Sequence, residues 1–222
     1  MKSFGMEWNG LRWATLDVTR SGKGARTVVE NRQSRIENTQ RVALPMLAAM
    51  PSSPRFSIRP AVAEDAATVH AFICALAEYE KLGHEVTASI EDLRRELFGA
   101  TPRAEVVFAC EDGAPIGIAL FFHNFSTFLG RPGLYVEDIF VLPEHRGKGY
   151  GRALMIHLAK VAHERGCGRF EWTVLDWNQP AIDFYRTLGA ESKQEWIIQR
   201  VSGPALIELA GRPLFPGAPA ES

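Results

Sequence analysis

The sequence predicts an α/β domain in which a mixed β-sheet carries helices on both faces. Three observations lead there. Strand-like and helix-like runs follow one another in the order β-α-α-β-β-β-α-β-α-β-β. A glycine-rich turn joins an apolar strand-like run, Tyr135 to Leu142, to an amphipathic helix-like run, Arg152 to Arg165. No internal repeat interrupts the pattern.

Each element has its own signal. Phe56-Ser57-Ile58-Arg59 alternates and ends at Pro60, a short strand. Glu64 to Leu82 places Val69, Phe72, Ile73, Leu76 and Ala77 at helical spacing. Ser89 to Phe98 is a second helix, with Ser89 and Asp92 as a capping pair and Gly99 after it. Glu105 to Cys110 and Ile116 to Phe122 are strands joined across Asp112-Gly113, a hairpin signal. Asn124 to Gly133 reads as a loop, and Leu134 to Leu142 as the next strand. The helix after the glycine turn buries Leu154, Leu158, Val161 and Ala162, and Gly166 or Gly168 ends it. Phe170 to Leu175 is a strand. Pro180 to Leu188 is a short helix with Pro180 in its first turn and Gly189 past its end. Glu195 to Val201 and Ala205 to Leu209 are expected to be late strands.

The chain has 222 residues and a net charge of −1, which argues against a nucleic-acid partner. No apolar run approaches the ~20 residues of a membrane span. Met1 to Gly10 lacks the pattern of a secretory signal. Cys74, Cys110 and Cys167, an odd set without close spacing, suggest reduced thiols and a cytoplasmic protein. His163 and Cys167 stand one helical turn apart, but two ligands make no metal site, and no metal is expected. Residues 1–49 hold eight Lys/Arg against four Asp/Glu and lack periodicity. Residues 1–54 therefore read as a disordered extension, 55–210 as the domain and 211–222 as a flexible tail. Two readings of residues 1–49 stand. Met50 opens Met-Pro-Ser-Ser-Pro and offers an alternative start; an Arg-rich targeting peptide is the rival.

The turn Arg146-Gly147-Lys148-Gly149-Tyr150-Gly151 carries the functional signal. Alternate glycines let the backbone aim several N–H groups at one point, and the following helix adds its unpaired amides and positive dipole end. That is an anion cradle suited to a pyrophosphate. A Walker loop is excluded because Arg152 follows Gly151, and the dinucleotide fingerprint because the spacing is Gly-x-Gly-x-Gly. The pattern Arg/Gln-x-x-Gly-x-Gly/Ala at Arg146, Gly149 and Gly151 resembles the coenzyme A loop of the GNAT N-acetyltransferases. Tyr135 to Val141, Asp176 to Ala181, Phe184-Tyr185 and Leu188-Gly189-Ala190 extend the resemblance over about residues 55–210. Glu137-Asp138-Ile139-Phe140-Val141, Trp177 to Tyr185 and Ala77 to Lys81 look most like the diamine, spermidine/spermine-type branch.

The resemblance implies a mostly antiparallel central sheet, acetyl-CoA as co-substrate and a homodimer. It implies that Gly147, Lys148, Gly149, Tyr150, Gly151 and Arg152 cradle the pyrophosphate and that Arg146 supports the loop or a phosphate. Ile139, Phe140 and Val141 would pair with the pantetheine arm as an added strand does. The Ile139 amide would polarise the thioester carbonyl. Asn178, with Pro180 and Ala181, would complete the cofactor site, although Asn178 reads equally as a cap. An alkylamine has a pKa near ~10 and arrives protonated, so a carboxylate must take its proton. Glu137 is the candidate, because two-residue alternation places it on the strand face of Ile139; Asp138 would face away as a structural residue. Tyr185 is the candidate acid for the departing thiolate, with Phe184 in the core. Tyr79 and Glu80 would line the amine pocket, and Trp172 and Trp177 read as pocket wall or core.

The expected activity is acetyl transfer to a primary amine of a small molecule, a di- or polyamine or a basic amino acid such as thialysine or ornithine. It would proceed by direct attack in a ternary complex. Other acceptors (a peptide N-terminus, an aminoglycoside, a xenobiotic amine) and a non-catalytic coenzyme A-binding module are the alternatives.

Overall fold

The computed structural model describes residues 55–213. The expectations for residues 1–54, including both readings of residues 1–49, lie outside the described residues, as does most of the expected tail.

Strand β1 (Phe56–Pro60) leads through a short 3-10 turn into helix α1 (Ala66–Tyr79), followed by α2 (Ile90–Phe98). Three strands come next: β2 (Glu105–Glu111), β3 (Ala114–Ser126) and β4 (Arg131–Val141). Helix α3 (Tyr150–Glu164), strand β5 (Arg169–Trp172) and helices α4 (Gln179–Thr187) and α5 (Gly203–Ala210) complete the order. The sheet runs β1-β2-β3-β4-β5, antiparallel except for the parallel pair β4–β5.

Local chemistry accounts for these elements. Ser89 caps α2 by accepting the Asp92 N–H, and Asp92 accepts the Ser89 N–H in return. Asp112 and Gly113 both take positive φ, 51° and 84°, as a tight two-residue hairpin requires. Strand alternation then divides the core. Val106, Phe108, Cys110, Ile118, Leu120 and Phe140 meet Val69, Phe72 and Leu97 of α1 and α2. Val107, Ala109, Ala119, Phe121, Leu134 and Val136 meet Leu154, Leu158 and Ala162 of α3 on the other face. Burial of these two apolar layers is the main stabilising term, at roughly 25 cal/mol per Å².

Three expectations change. The stretch Asn124 to Gly133 is mostly strand: Asn124 pairs with Gly133 and Ser126 with Arg131, because main-chain pairing extends the hairpin through polar residues. The strand from Phe170 stops at Trp172. The late strands are absent among the described residues. Residues 195–201 pair with no strand, and Ala205 to Leu209 lies in helix α5, where Pro204 occupies the first turn and Ala, Leu, Glu and Ala favour helix.

Candidate active site

The site follows from how β4 and β5 part. They pair from Gly133↔Arg169 to Val136↔Trp172, and there β5 ends while β4 continues to Val141. Residues 138–141 pair with β3 on one side only, so the opposite backbone edge of β4 is open. A cleft of about 840 Å³ lies along that edge.

At one end of the cleft is the glycine loop. Gly147 and Gly149 take φ of 78° and 87°, left-handed conformations that favour glycine, and no atom lies within 4 Å of a Cβ built on either. Gly149 is the N-cap of α3, whose first helical bond is Ala153 N–H to Gly149 O. The amides from Gly147 to Arg152 have no backbone partner among the described residues. Open space and unpaired donors fit a diphosphate.

Arg146 folds back on the strand. Its Nε donates to Val141 O at 2.9 Å, and its guanidinium lies 4.5 Å from the Tyr79 ring centroid and 5.2 Å from that of Phe140. Asn178 is buried and caps α4, its Oδ1 accepting the Ala181 N–H; the same oxygen accepts the Tyr79 hydroxyl. The cap reading of Asn178 is therefore realised.

The other end is acidic. Leu120 pairs with Asp138 and Phe121 with Val136, which leaves Glu137 as the extra residue of a β-bulge. Val136 and Ile139, three residues apart, both pack toward α3, so strict two-residue alternation does not run through the bulge at Glu137. Asp138 does not turn away: it lines the cleft with Glu137 and Glu80. Burial, with the nearby Glu137 and Glu80 carboxylates, pushes Asp138 up to about 6. Burial also raises Glu80. Tyr185 stands against Trp172, ring centroids 5.0 Å apart. Burial, then Glu80 and Tyr79, push its hydroxyl up to about 12, so it keeps its proton at neutral pH. Phe184 lines the cleft rather than the core, with its Cζ 3.9 Å from a Cβ built on Gly151.

The cleft thus brings together Tyr79, Glu80, Glu137, Ile139, Phe140, Val141, Arg146, Gly147, Gly149, Tyr150, Gly151, Arg152, Asn178, Pro180, Ala181 and Tyr185. Lys148 does not line it; its Nζ reaches Glu111 at 3.4 Å. Trp172 lines the wall, whereas Trp177 is exposed and packs near Tyr79. Sequence reasoning missed two carboxylates, Asp138 as a cleft residue and Glu111 beneath the loop. The run Glu137-Asp138 is visible in the sequence, but the bulge that admits both to the cleft is not. Among the described residues no three His, Cys, Asp or Glu side chains group as metal ligands, and no helix is long and apolar enough to cross a membrane.

Residues 63–190 match the family model described as the acetyltransferase (GNAT) family. The thialysine N-epsilon-acetyltransferase of Mus musculus is 39% identical over 166 residues, which span 70% of this chain and 97% of that protein. The L-ornithine N5-acetyltransferase of Arabidopsis thaliana is 43% identical over 123 residues, 55% of this chain and 51% of that protein. Among solved structures, an integron cassette protein of V. cholerae superposes with a TM-score of 0.61 at 28% identity, over 71% of this chain and 98% of that one.

Proposed function

This chain belongs to the acetyltransferase (GNAT) family, and from that premise we propose that it transfers acetyl from acetyl-CoA to a primary amine of a di- or polyamine or a basic amino acid. The observation that carries the reading is the two-ended cleft: unpaired amides at the glycine loop, and Glu80, Glu137 and Asp138 at the far end. Acetyl-CoA carries its thioester on a diphosphate-linked arm, and a cation needs the opposite electrostatics. One open strand edge joins the two ends.

Each residue has a part in the reading. The amides of Gly147 to Arg152 hold the diphosphate, with the α3 dipole behind them. The free edge of β4 aligns the pantetheine arm, and the Ile139 amide faces the developing oxyanion. Glu80 attracts the ammonium. Its proton passes to the Glu137–Asp138 pair of carboxylates, and Asp138, pushed up to about 6, is better matched than an ordinary aspartate to a base working near neutral pH. The neutral nitrogen then forms its bond to the acetyl carbon as the C–S bond breaks, Tyr185 delivers a proton to the departing sulfur, and the second proton shed by the acetylated nitrogen returns Tyr185 to its hydroxyl form. No covalent enzyme intermediate is required.

We also propose a cytoplasmic homodimer that needs no metal, nucleic acid or membrane. Free cysteines support the compartment. Support for the dimer comes from exposed Trp196, Ile197, Ile198, Val201 and Ile207, an apolar segment that a second subunit would cover.

Thiol release from acetyl-CoA across a panel of amines tests the function. Turnover with diamines or basic amino acids is expected. Coenzyme binding without turnover on any amine would overturn it.

A further inference from the structure

We infer that Glu111, the last residue of β2, is a positioning residue that sets the glycine loop for coenzyme A before the coenzyme arrives. The inference rests on the proposed acetyltransferase function, in which that loop holds the diphosphate.

Three side chains of the loop region converge on one carboxylate. Glu111 Oε2 lies 2.8 Å from His145 Nδ1. Its Oε1 accepts the Tyr150 hydroxyl at 2.5 Å and lies 3.4 Å from Lys148 Nζ. The Glu111 side chain is only 12% exposed. Tyr150, in turn, stacks on Phe56 of β1, with centroids 5.0 Å apart and planes 11° from parallel. The Tyr150 hydroxyl first, then Lys148 and His145, hold Glu111 below the usual carboxylate range, so the anchor stays charged.

These anchors interleave with the glycines. Gly147 and Gly149 carry no side chain to hold them, a Cβ built on either would meet nothing within 4 Å, and glycine loses more conformational freedom on ordering than any other residue. A loop fixed from beneath by the Tyr150 and Lys148 hydrogen bonds and the close His145 contact meets its ligand with that entropy already lost. The same contacts draw Lys148 out of the cleft, so main-chain amides and the α3 dipole face the coenzyme there. Glu111 touches no reacting atom; it acts through His145, Lys148 and Tyr150.

Calorimetric titration with coenzyme A, applied to the wild-type chain, Glu111→Ala and Glu111→Gln, tests this. Glu111→Ala is expected to raise the coenzyme A Kd about 10- to 100-fold, as for lost hydrogen bonds to a charged group. The KM for acetyl-CoA should rise in step, with kcat and the amine KM unmoved. Glu111→Gln keeps an acceptor for Tyr150 but loses the charge and should fall between. Amide hydrogen exchange from Gly147 to Arg152 in the free protein should quicken in both variants. Wild-type Kd and exchange in both variants would overturn the inference alone. A fall in kcat with unchanged coenzyme affinity would mark Glu111 as merely structural and overturn it too. A wild-type chain that fails to bind coenzyme A would overturn the proposed function and this inference together.

Discussion

The Tyr79 hydroxyl donates to Asn178 Oδ1 across 3.4 Å, tying the end of α1, which leads into Glu80, to the cap of α4, which carries Tyr185. The same ring carries the Arg146 guanidinium at 4.5 Å. One aromatic side chain, next in sequence to Glu80, therefore links the helix that carries Tyr185 to the root of the glycine loop.

Tyr79→Phe removes the hydrogen bond and keeps the ring. The bond is long, so a loss of about 1 kcal/mol is the ceiling, or kcat/KM down about fivefold. Tyr79→Ala also frees Arg146 and should raise the KM for acetyl-CoA further. Initial rates with both substrates varied will read the difference.

Tyr185→Phe should lower kcat by ~10²-fold or more, the range for a lost proton transfer, while coenzyme A binding survives. The hydroxyl, pushed up to about 12, stays protonated through the working range. Single-turnover rates beside coenzyme A titration separate the two effects; unchanged turnover would remove Tyr185 from the mechanism.

Gly149→Ala and Gly151→Ala should behave differently. Gly149 sits at φ 87°, where an added Cβ costs about 1–2 kcal/mol. Gly151 lies inside α3 without a positive φ, and its added methyl meets nothing nearer than 3.9 Å. Thermal melts should show Gly149→Ala destabilised and Gly151→Ala, in the first turn of α3, equal to wild type or slightly steadier. Both methyls intrude on the cradle, so both variants should bind coenzyme A more weakly.

Much of this arrangement is written in local sequence. The helical face Val69, Phe72, Leu76, the Ser89–Asp92 cap, the Asp112-Gly113 turn and the Gly149 cap each depend on residues within a turn or two. What stayed hidden is set by partners far along the chain. The bulge at Glu137 exists only in the register against Leu120 and Phe121. The Glu111 anchor joins β2 to a loop more than thirty residues later in the sequence. The run Glu195 to Val201 has strand-like composition, but a strand also needs a neighbour, and none pairs with it among the described residues.

Asp138 gives the site a pH signature that separates catalysis from stability. Its carboxyl rises from an ordinary 3.8 to about 6 in the folded chain, through burial and the charges of Glu137 and Glu80. A proton acceptor must be ionised, so kcat/KM should climb as pH rises through about 6, and Asp138→Asn should abolish that limb. Stability runs the other way. Between about 4 and 6 the folded state binds more protons than the unfolded state, so stability falls as pH rises through that window. Above about 6 the buried charge remains a standing cost, on the order of 3 kcal/mol at most. Asp138→Asn, which removes that charge, should therefore be more stable than wild type at pH 7 and lose its advantage by pH 4, while its activity at pH 7 drops. Urea denaturation at the two pH values, set beside initial rates, checks both halves. An Asp138→Asn chain less stable than wild type at pH 7 would mean that the ionised carboxylate is held by favourable contacts rather than strained by its acidic neighbours.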